Sequence, residues 1–259
     1  MGREMLSITF LGTGTSHGIP MIGCDCDVCR STDPRDRRNR PGAAVTVPDG
    51  RVILIDLPPE FRLAALATGL ARVDAVLLTH AHADHIMGTD DLRRFNNLRG
   101  EAIDCYANAA TIDVMRRVFG YAERPYINPD RPSLRLHAID GPCEIAGVMV
   151  RPIELLHGRL PIFGYRIGRF AYCTDVSTIP DAAWPLLEDL DLLVLDALRY
   201  RPHPTHFNLP QALDAIERIA PRRALLTHIA HEISHDRTSA ELPDNVAIAW
   251  DGQRVTAEM

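Results

Sequence analysis

Residues 80–85 put three imidazoles and one carboxylate, His80, His82, Asp84 and His85, into six consecutive positions directly after the apolar run VDAVLLT. Neutral imidazole nitrogens and carboxylate oxygens are the donors that borderline divalent cations prefer. His80 and His82 are two apart, so on leaving an extended strand their side chains face the same way. Asp84 and His85 fall in the turn that follows, placed to serve a second ion. Three other apolar runs end in the same kinds of residue: GVMVRPIELL leads to His157, FAYCT to Asp175 and RALLT to His228. In layered α/β proteins the ligand sits beyond the carboxyl ends of the strands. Four separate strands delivering His, His, Asp and His to such an edge are hard to assign to chance.

A second group lies near the N-terminus. Cys24, Cys26 and Cys29 form a C-x-C-x-x-C loop, three thiolates where a closed structural zinc site needs four ligands. The other cysteines, Cys105, Cys143 and Cys173, are scattered and read as small core residues. His231 is the best candidate for the fourth ligand, because it follows His228 by three residues. A zinc there would clamp the N-terminal loop onto the loop that carries His228.

The elements that must position these residues are short β-branched apolar runs bounded by turn residues, which read as buried strands. Between them lie helical candidates, PEFRLAALATGL, TIDVMRRVFG and LPQALDAIERIA, the last with Pro210 near its start. Alternation of the two predicts an α/β layered fold. The turns VPDG and EIAG read as hairpin connections, so the sheets are expected to be mixed. Nothing in the pattern divides residues 1–259, which are expected to form one domain with a zinc-binding loop at about 20–30.

Composition narrows the classes. The chain has 259 residues, 46% hydrophobic and 24% charged, ordinary values for a folded globular protein. A formal net charge of −6 argues against a protein built mainly to neutralise a nucleic-acid backbone. All 28 basic residues are arginine, which excludes Schiff-base chemistry, a phosphate-binding Walker lysine and a lysine general base. No apolar run approaches the roughly 20 residues of a membrane span. The segment MGREMLSITFLGTG lacks the apolar core and cleavage site of a signal peptide. The chain reads as cytoplasmic, where a cysteine cluster points to metal rather than to disulfides.

Together, LGTGTSHGIPMIGCDCDVC, THAHADH and LTHIAH resemble the metallo-β-lactamase superfamily, THAHADH matching its HxHxDH motif. The resemblance covers essentially the whole chain and extends to the branch that contains the PhnP-type phosphoribosyl cyclic phosphodiesterases. The PQQ-biosynthesis branch shares a similar glycine and cysteine loop but is usually longer. The resemblance implies an αββα sandwich of two mixed sheets flanked by helices. It also implies that His80, His82 and His157 hold one metal, that Asp84, His85 and His228 hold another, and that Asp175 bridges them. The cofactors implied are two divalent ions, manganese or zinc, and one structural zinc on Cys24, Cys26, Cys29 and His231. With two carboxylates and a hydroxide, such a site keeps about one net positive charge, suited to an anionic substrate and a phosphoryl oxygen gaining charge. The implied activity is hydrolysis of a small cyclic phosphodiester, 5-phosphoribosyl 1,2-cyclic phosphate, by a homodimer. Asp84 and His206 are the expected catalytic residues, with His206 as general acid and His203 its competitor.

Several further residues remain open at this point. Gly12, Gly14 and Gly18 make a glycine-rich turn whose amides could approach a phosphate or merely pack beneath the metals. Asp56 is expected to support a metal-binding histidine. One of Arg37, Arg38 and Arg40 could reach a terminal phosphate of the substrate, although such polar runs are mostly solvated. His17, His137 and His235 have no assigned role. The rival readings are a tRNA 3′-processing type of endonuclease, another metallo-hydrolase of the same fold, and a non-catalytic metal-binding protein.

Overall fold

A computed structural model describes residues 4–123 and 131–259. Its first sheet contains β1 (Met5–Gly12), β2 (Gly42–Thr46), β3 (Val52–Ile55), β4 (Ala75–Leu77), β5 (Ile103–Ala107) and β6 (Leu134–Ala138). The second contains β7 (Cys143–Ile145), β8 (Val148–His157), β9 (Leu160–Ile167), β10 (Phe170–Cys173), β11 (Leu192–Asp196), β12 (Arg223–Thr227) and β13 (Val246–Ile248). The last strand, β14 (Arg254–Glu258), returns to the edge of the first sheet beside β1, giving seven strands in each. Both sheets are mixed: β14, β1, β2 and β3 pair antiparallel, β3 to β6 parallel, β7 to β10 antiparallel and β10 to β13 parallel.

The sheets pack face to face. Leu6, Ile8, Phe10 and Ile53 from the first meet Val150, Tyr165, Phe170 and Val194 from the second in one buried cluster. The outer face of the first sheet is covered by α1 (Phe61–Thr68), α2 (Ala83–Ile86), α3 (Arg93–Arg99) and α4 (Ala109–Phe119), whose Phe61, Ile86, Phe95 and Met115 form a second cluster. On the outer face of the second sheet α5 (Leu209–Ile219) contributes Leu209, Ala212 and Ile216 to a third. A short α6 (His235–Ser239) follows the β12 loop. The result is an αββα sandwich, as expected from the sequence.

Local chemistry explains the element ends that matter for the site. In α5 the Asn208 side chain accepts from the Gln211 amide while the Gln211 side chain accepts from the Asn208 amide, a capping box, and Pro210 occupies the first turn. The helix therefore starts directly after His206 and Phe207. The β7–β8 turn has Ala146 and Gly147 both at positive φ, 47° and 72°, the two-residue hairpin geometry matching strand twist.

Gly12 and Gly14 are packing glycines. A Cβ on Gly12 would run into the carbonyl oxygen of Arg40, and one on Gly14 would stand 2.9 Å from the Arg38 Cβ. The Gly14 amide donates to Asn39 O, Thr15 to Ile229 O and Gly18 to Thr15 O. Those amides are committed within the protein, so between the two readings left open above the structure favours packing over a phosphate cradle. Gly12→Ala should cost about 1–3 kcal/mol of stability. Thermal unfolding checks this, and an unchanged Tm would contradict it.

Candidate active site

The carboxyl ends of β3, β4, β8, β10, β11 and β12 converge at one edge of the sandwich. Beyond β4 the chain stays extended to His82, at φ −67° and ψ 153°, and then enters α2. This brings the His80 and His82 rings to 4.5 Å, with His157 at 5.5 and 5.1 Å. One donor atom from each of His80, His82, His157 and Asp175 lies within 4.8 Å of the others. Asp84, His85 and His228 form a second group by the same measure. Asp175 stands between them: Oδ2 is 3.8 Å from His80 Nε2, while Oδ1 is 3.5 Å from His85 Nε2 and 3.4 Å from His228 Nε2. Every residue of the two sets read from the sequence is thus brought to one place. His82 alone among them is exposed and marks the mouth.

The ring orientations are fixed from behind. The His157 Nδ1–H donates to Thr205 O at 2.6 Å and the His85 Nδ1–H to Asp56 Oδ2 at 2.7 Å. Asp56 also accepts the Thr79 amide at 2.8 Å and the Thr79 hydroxyl, and that hydroxyl lies 3.0 Å from His80 Nδ1. Each of these contacts turns an Nε2 toward the centre, the carboxylate–histidine arrangement that orients metal ligands. The Nε2 atoms of His80, His85 and His228 are buried without a hydrogen-bond partner.

The electrostatics point the same way. Burial lowers His80, His82 and His157 below the ordinary histidine value, so these imidazoles are neutral and able to ligate. Burial opposes the charge of Asp84 and Asp175, yet the imidazoles around them, His228 foremost, hold both carboxyls well below the usual range. Burial likewise acts to lower His85 and His228, but Asp175 outweighs it, helped by Asp56 at His85 and Asp84 at His228, and both rise. Buried carboxylates are thus drawing protons onto imidazoles that would otherwise stay neutral. Orphaned nitrogens converging on ionised carboxylates fit divalent cations, which supply the missing positive charge and take the free lone pairs.

His206 joins this cluster: its ring stacks on His228 at 4.8 Å and meets His157 edge-on at 4.6 Å. His206 Nδ1 is 3.4 Å from Oδ2 of Asp196, the last residue of β11, whose Oδ1 accepts the Val176 amide at 2.8 Å. Burial pushes Asp196 well above the carboxylate range and His206 down to about 4. His203 lies one ring further out, 5.1 Å from His206, with Nδ1 turned to Thr205 Oγ1 at 3.2 Å.

The Cys24, Cys26 and Cys29 sulfurs surround His231 Nδ1 at 3.2, 3.4 and 3.8 Å. Donors on a tetrahedral zinc, with bonds near 2.3 Å to sulfur and 2.0–2.1 Å to nitrogen, are separated by about 3.5 Å. The Cys29 amide pulls the Cys26 thiol down to about 7, whereas burial pushes Cys29 up to about 11. Thiols this close ionise together only around a cation, so this group also fits the expected ion. Cys105 and Cys173 are fully buried, and Cys143 packs against the inter-sheet core.

The arginines offered for a phosphate depart from the sequence reading, and two residues, Asp196 and Thr79, were missed by it. Arg38 is fully buried in a pair with Asp36 at 3.0 Å and donates to Ile233 O, which removes it as a phosphate ligand. Arg40 is committed to Glu60 and Ser16 O, and Arg37 is exposed. Asp196 was missed, although its signal, an apolar strand ending in an acid, is the one that marks Asp56 and Asp175. Thr79 was quoted in the histidine motif without a role, yet its hydroxyl links Asp56 to His80.

Comparison with known proteins agrees with this geometry. A family model described as a beta-lactamase superfamily domain matches residues 51–229. A crystal structure described as a new diphosphatase from the PhnP family superposes with a TM-score of 0.92 and 41% identity, covering 98% of each chain. An octanoyltransferase of Porphyromonas gingivalis is 40% identical over 246 residues, 93% of this chain. The chain spans only 50% of that protein's length, so the name covers regions with no counterpart here. Human tRNase Z, short form, shares the fold at a TM-score of 0.71 and 18% identity.

If the clusters hold cations, metal must stabilise the fold. At a free metal concentration 100 times its Kd, each occupied site should add about 2.7 kcal/mol, a Tm rise on the order of 5–10 °C at this chain length. Asp175→Asn should remove most of the rise produced by manganese. Calorimetry of the chelated and metal-loaded protein tests this, and equal Tm values in both would contradict it.

Proposed function

The chain belongs to the beta-lactamase superfamily and, within it, to the PhnP family, and we propose that it is a dinuclear metal-dependent phosphodiesterase acting on a small cyclic phosphodiester, 5-phosphoribosyl 1,2-cyclic phosphate. The observation that carries this reading is the pair of ligand groups sharing Asp175, with His206 stacked at their side. His80, His82 and His157 would hold one ion and Asp84, His85 and His228 the other, with one Asp175 oxygen facing each. When bound, two divalent cations, manganese or zinc, supply positive charge for a phosphoryl oxygen and lower the pKa of water.

The chain's own residues supply the rest. Asp56, Thr79 and Thr205 fix the imidazole tautomers, so the ligand set is organised before substrate arrives. The departing sugar alkoxide is a poor leaving group and needs a proton. His206 is placed to give it, a role worth roughly 10²–10⁴ in rate. His206 Nδ1 faces Asp196 Oδ2 at 3.4 Å, so the carboxyl lies within reach to return a proton to Nδ1 as the opposite nitrogen, Nε2, gives one to the alkoxide.

A cavity of about 250 Å³ opens beside His206, below the 300–1,000 Å³ of drug-sized sites.

The test is turnover by manganese-loaded protein on 5-phosphoribosyl 1,2-cyclic phosphate and on bis(p-nitrophenyl) phosphate. Asp84→Ala should abolish both activities. His206→Ala should lose on the order of 10²-fold or more on the sugar substrate and far less on the aryl ester, whose phenolate leaves without a proton. Equal losses on both substrates would remove His206 as the acid. Wild-type turnover of neither substrate would overturn the reading.

A further inference from the structure

The cavity beside His206 borders the metal-binding groups through His206 and His231 and is otherwise lined by residues outside them. His206 lies within ligand distance of Asp175 and His228 and also lines the cavity, together with Arg199, His203, His17 and Glu232. A substrate whose phosphodiester sits at the cluster therefore extends its remaining atoms toward these side chains.

Arg199 stands on the loop between β11 and α5, half-buried, and is the one arginine among the described lining residues. Its Nε donates to Arg201 O at 3.2 Å and one terminal nitrogen to Pro202 O at 3.0 Å. The guanidinium is thus held in place by carbonyls of its own loop, and among the described residues it forms no ion pair. Its neighbours are committed: Arg201 pairs with Glu232 at 2.8 Å, which also occupies the one carboxylate in the lining. The arginines that the sequence offered for a terminal phosphate are excluded or turned elsewhere, Arg38 by burial and Arg40 by Glu60. With no lysine in the chain, Arg199 is the one permanently charged donor among the described lining residues, free of an ion pair within 4.0 Å and set beside the imidazoles of His17 and His203. Its fork matches phosphate oxygens two at a time.

We infer that Arg199 binds a second phosphate of the substrate, a monoester remote from the reacting phosphodiester, and so makes the enzyme selective for phosphorylated sugars. The inference rests on the phosphodiesterase reading above and adds the group that sets its specificity.

The experiment compares 5-phosphoribosyl 1,2-cyclic phosphate with the same cyclic phosphate lacking the 5-phosphate, using manganese-loaded wild type, Arg199→Gln and Arg199→Lys. Wild type should prefer the phosphorylated substrate in kcat/KM. Arg199→Gln should shrink that preference about ten-fold or more, through KM of the phosphorylated substrate, and weaken competitive inhibition by ribose 5-phosphate to a similar degree. Arg199→Lys, which keeps the charge but loses the fork, should fall between. An unchanged preference in Arg199→Gln, or a wild type with no preference, overturns the inference. If wild type opens neither cyclic phosphate yet cleaves bis(p-nitrophenyl) phosphate, the phosphodiesterase reading stands and the inference falls. If it cleaves no phosphodiester, that reading falls, and calorimetric binding of ribose 5-phosphate to wild type and Arg199→Gln decides the subsite alone: weaker binding by the variant supports it, equal binding overturns it.

Discussion

Two buried carboxylates, Asp84 and Asp175, meet His85 and His228 at the strand ends of this sandwich, backed by the buried carboxyls of Asp56 and Asp196. Burying ionised carboxylates without cations is among the most expensive arrangements a fold can hold. The site therefore depends on positive charge that arrives after the chain is made. Much of the surrounding structure serves to keep those carboxylates at fixed positions until then. The sulfurs of the Cys24–Cys29 loop pose the same problem on a smaller scale, gathered around one imidazole nitrogen of His231.

Holding the groups in place strains the backbone locally. Asp56, Asp175 and His228, each just beyond a strand, lie in the left-handed region at φ of 62°, 61° and 56°. Such non-glycine residues cost on the order of 1–3 kcal/mol each, and the sharp turn is what swings each side chain off its strand and into the site. Compensating bonds are visible at every one. The Thr79 amide binds Asp56, and the Thr174 hydroxyl donates to Asp175 at 2.9 Å. The loop after His228 is held to the glycine-rich turn through Ile229 N to Thr13 O and Thr15 N to Ile229 O. Three residues further on, His231 reaches the cysteines, so the loop is anchored on both sides of the ligand it carries.

The legible parts of this arrangement were those written in local spacing. His80, His82, Asp84 and His85 are consecutive enough that any strand-to-helix turn brings them together, and the runs ending in His157, Asp175 and His228 announce strand ends directly. The mixed sheets were legible from two hairpin turns against a background of alternating strands and helices. What the chain order hid were partnerships across distance. Asp196 reads as the polar end of an ordinary buried strand until β11 is laid beside β10 and its carboxyl is found behind His206. Arg38 reads as one arginine in a solvated basic run, and only the packing of that run under the β12 loop reveals it as a buried ion pair. Arg199 carries no motif at all, because what sets it apart is its place in the cavity beside His206.

The central claim is that Asp175 joins two metal-binding groups into one dinuclear site. The most direct test is electron paramagnetic resonance of the protein whose cysteine cluster has first been filled with zinc and which is then titrated with manganese. Two ions about 3.5–4 Å apart should give, at two equivalents, the multiline spectrum of an exchange-coupled manganese pair, absent in Asp175→Asn. An uncoupled six-line spectrum at saturation would contradict the account.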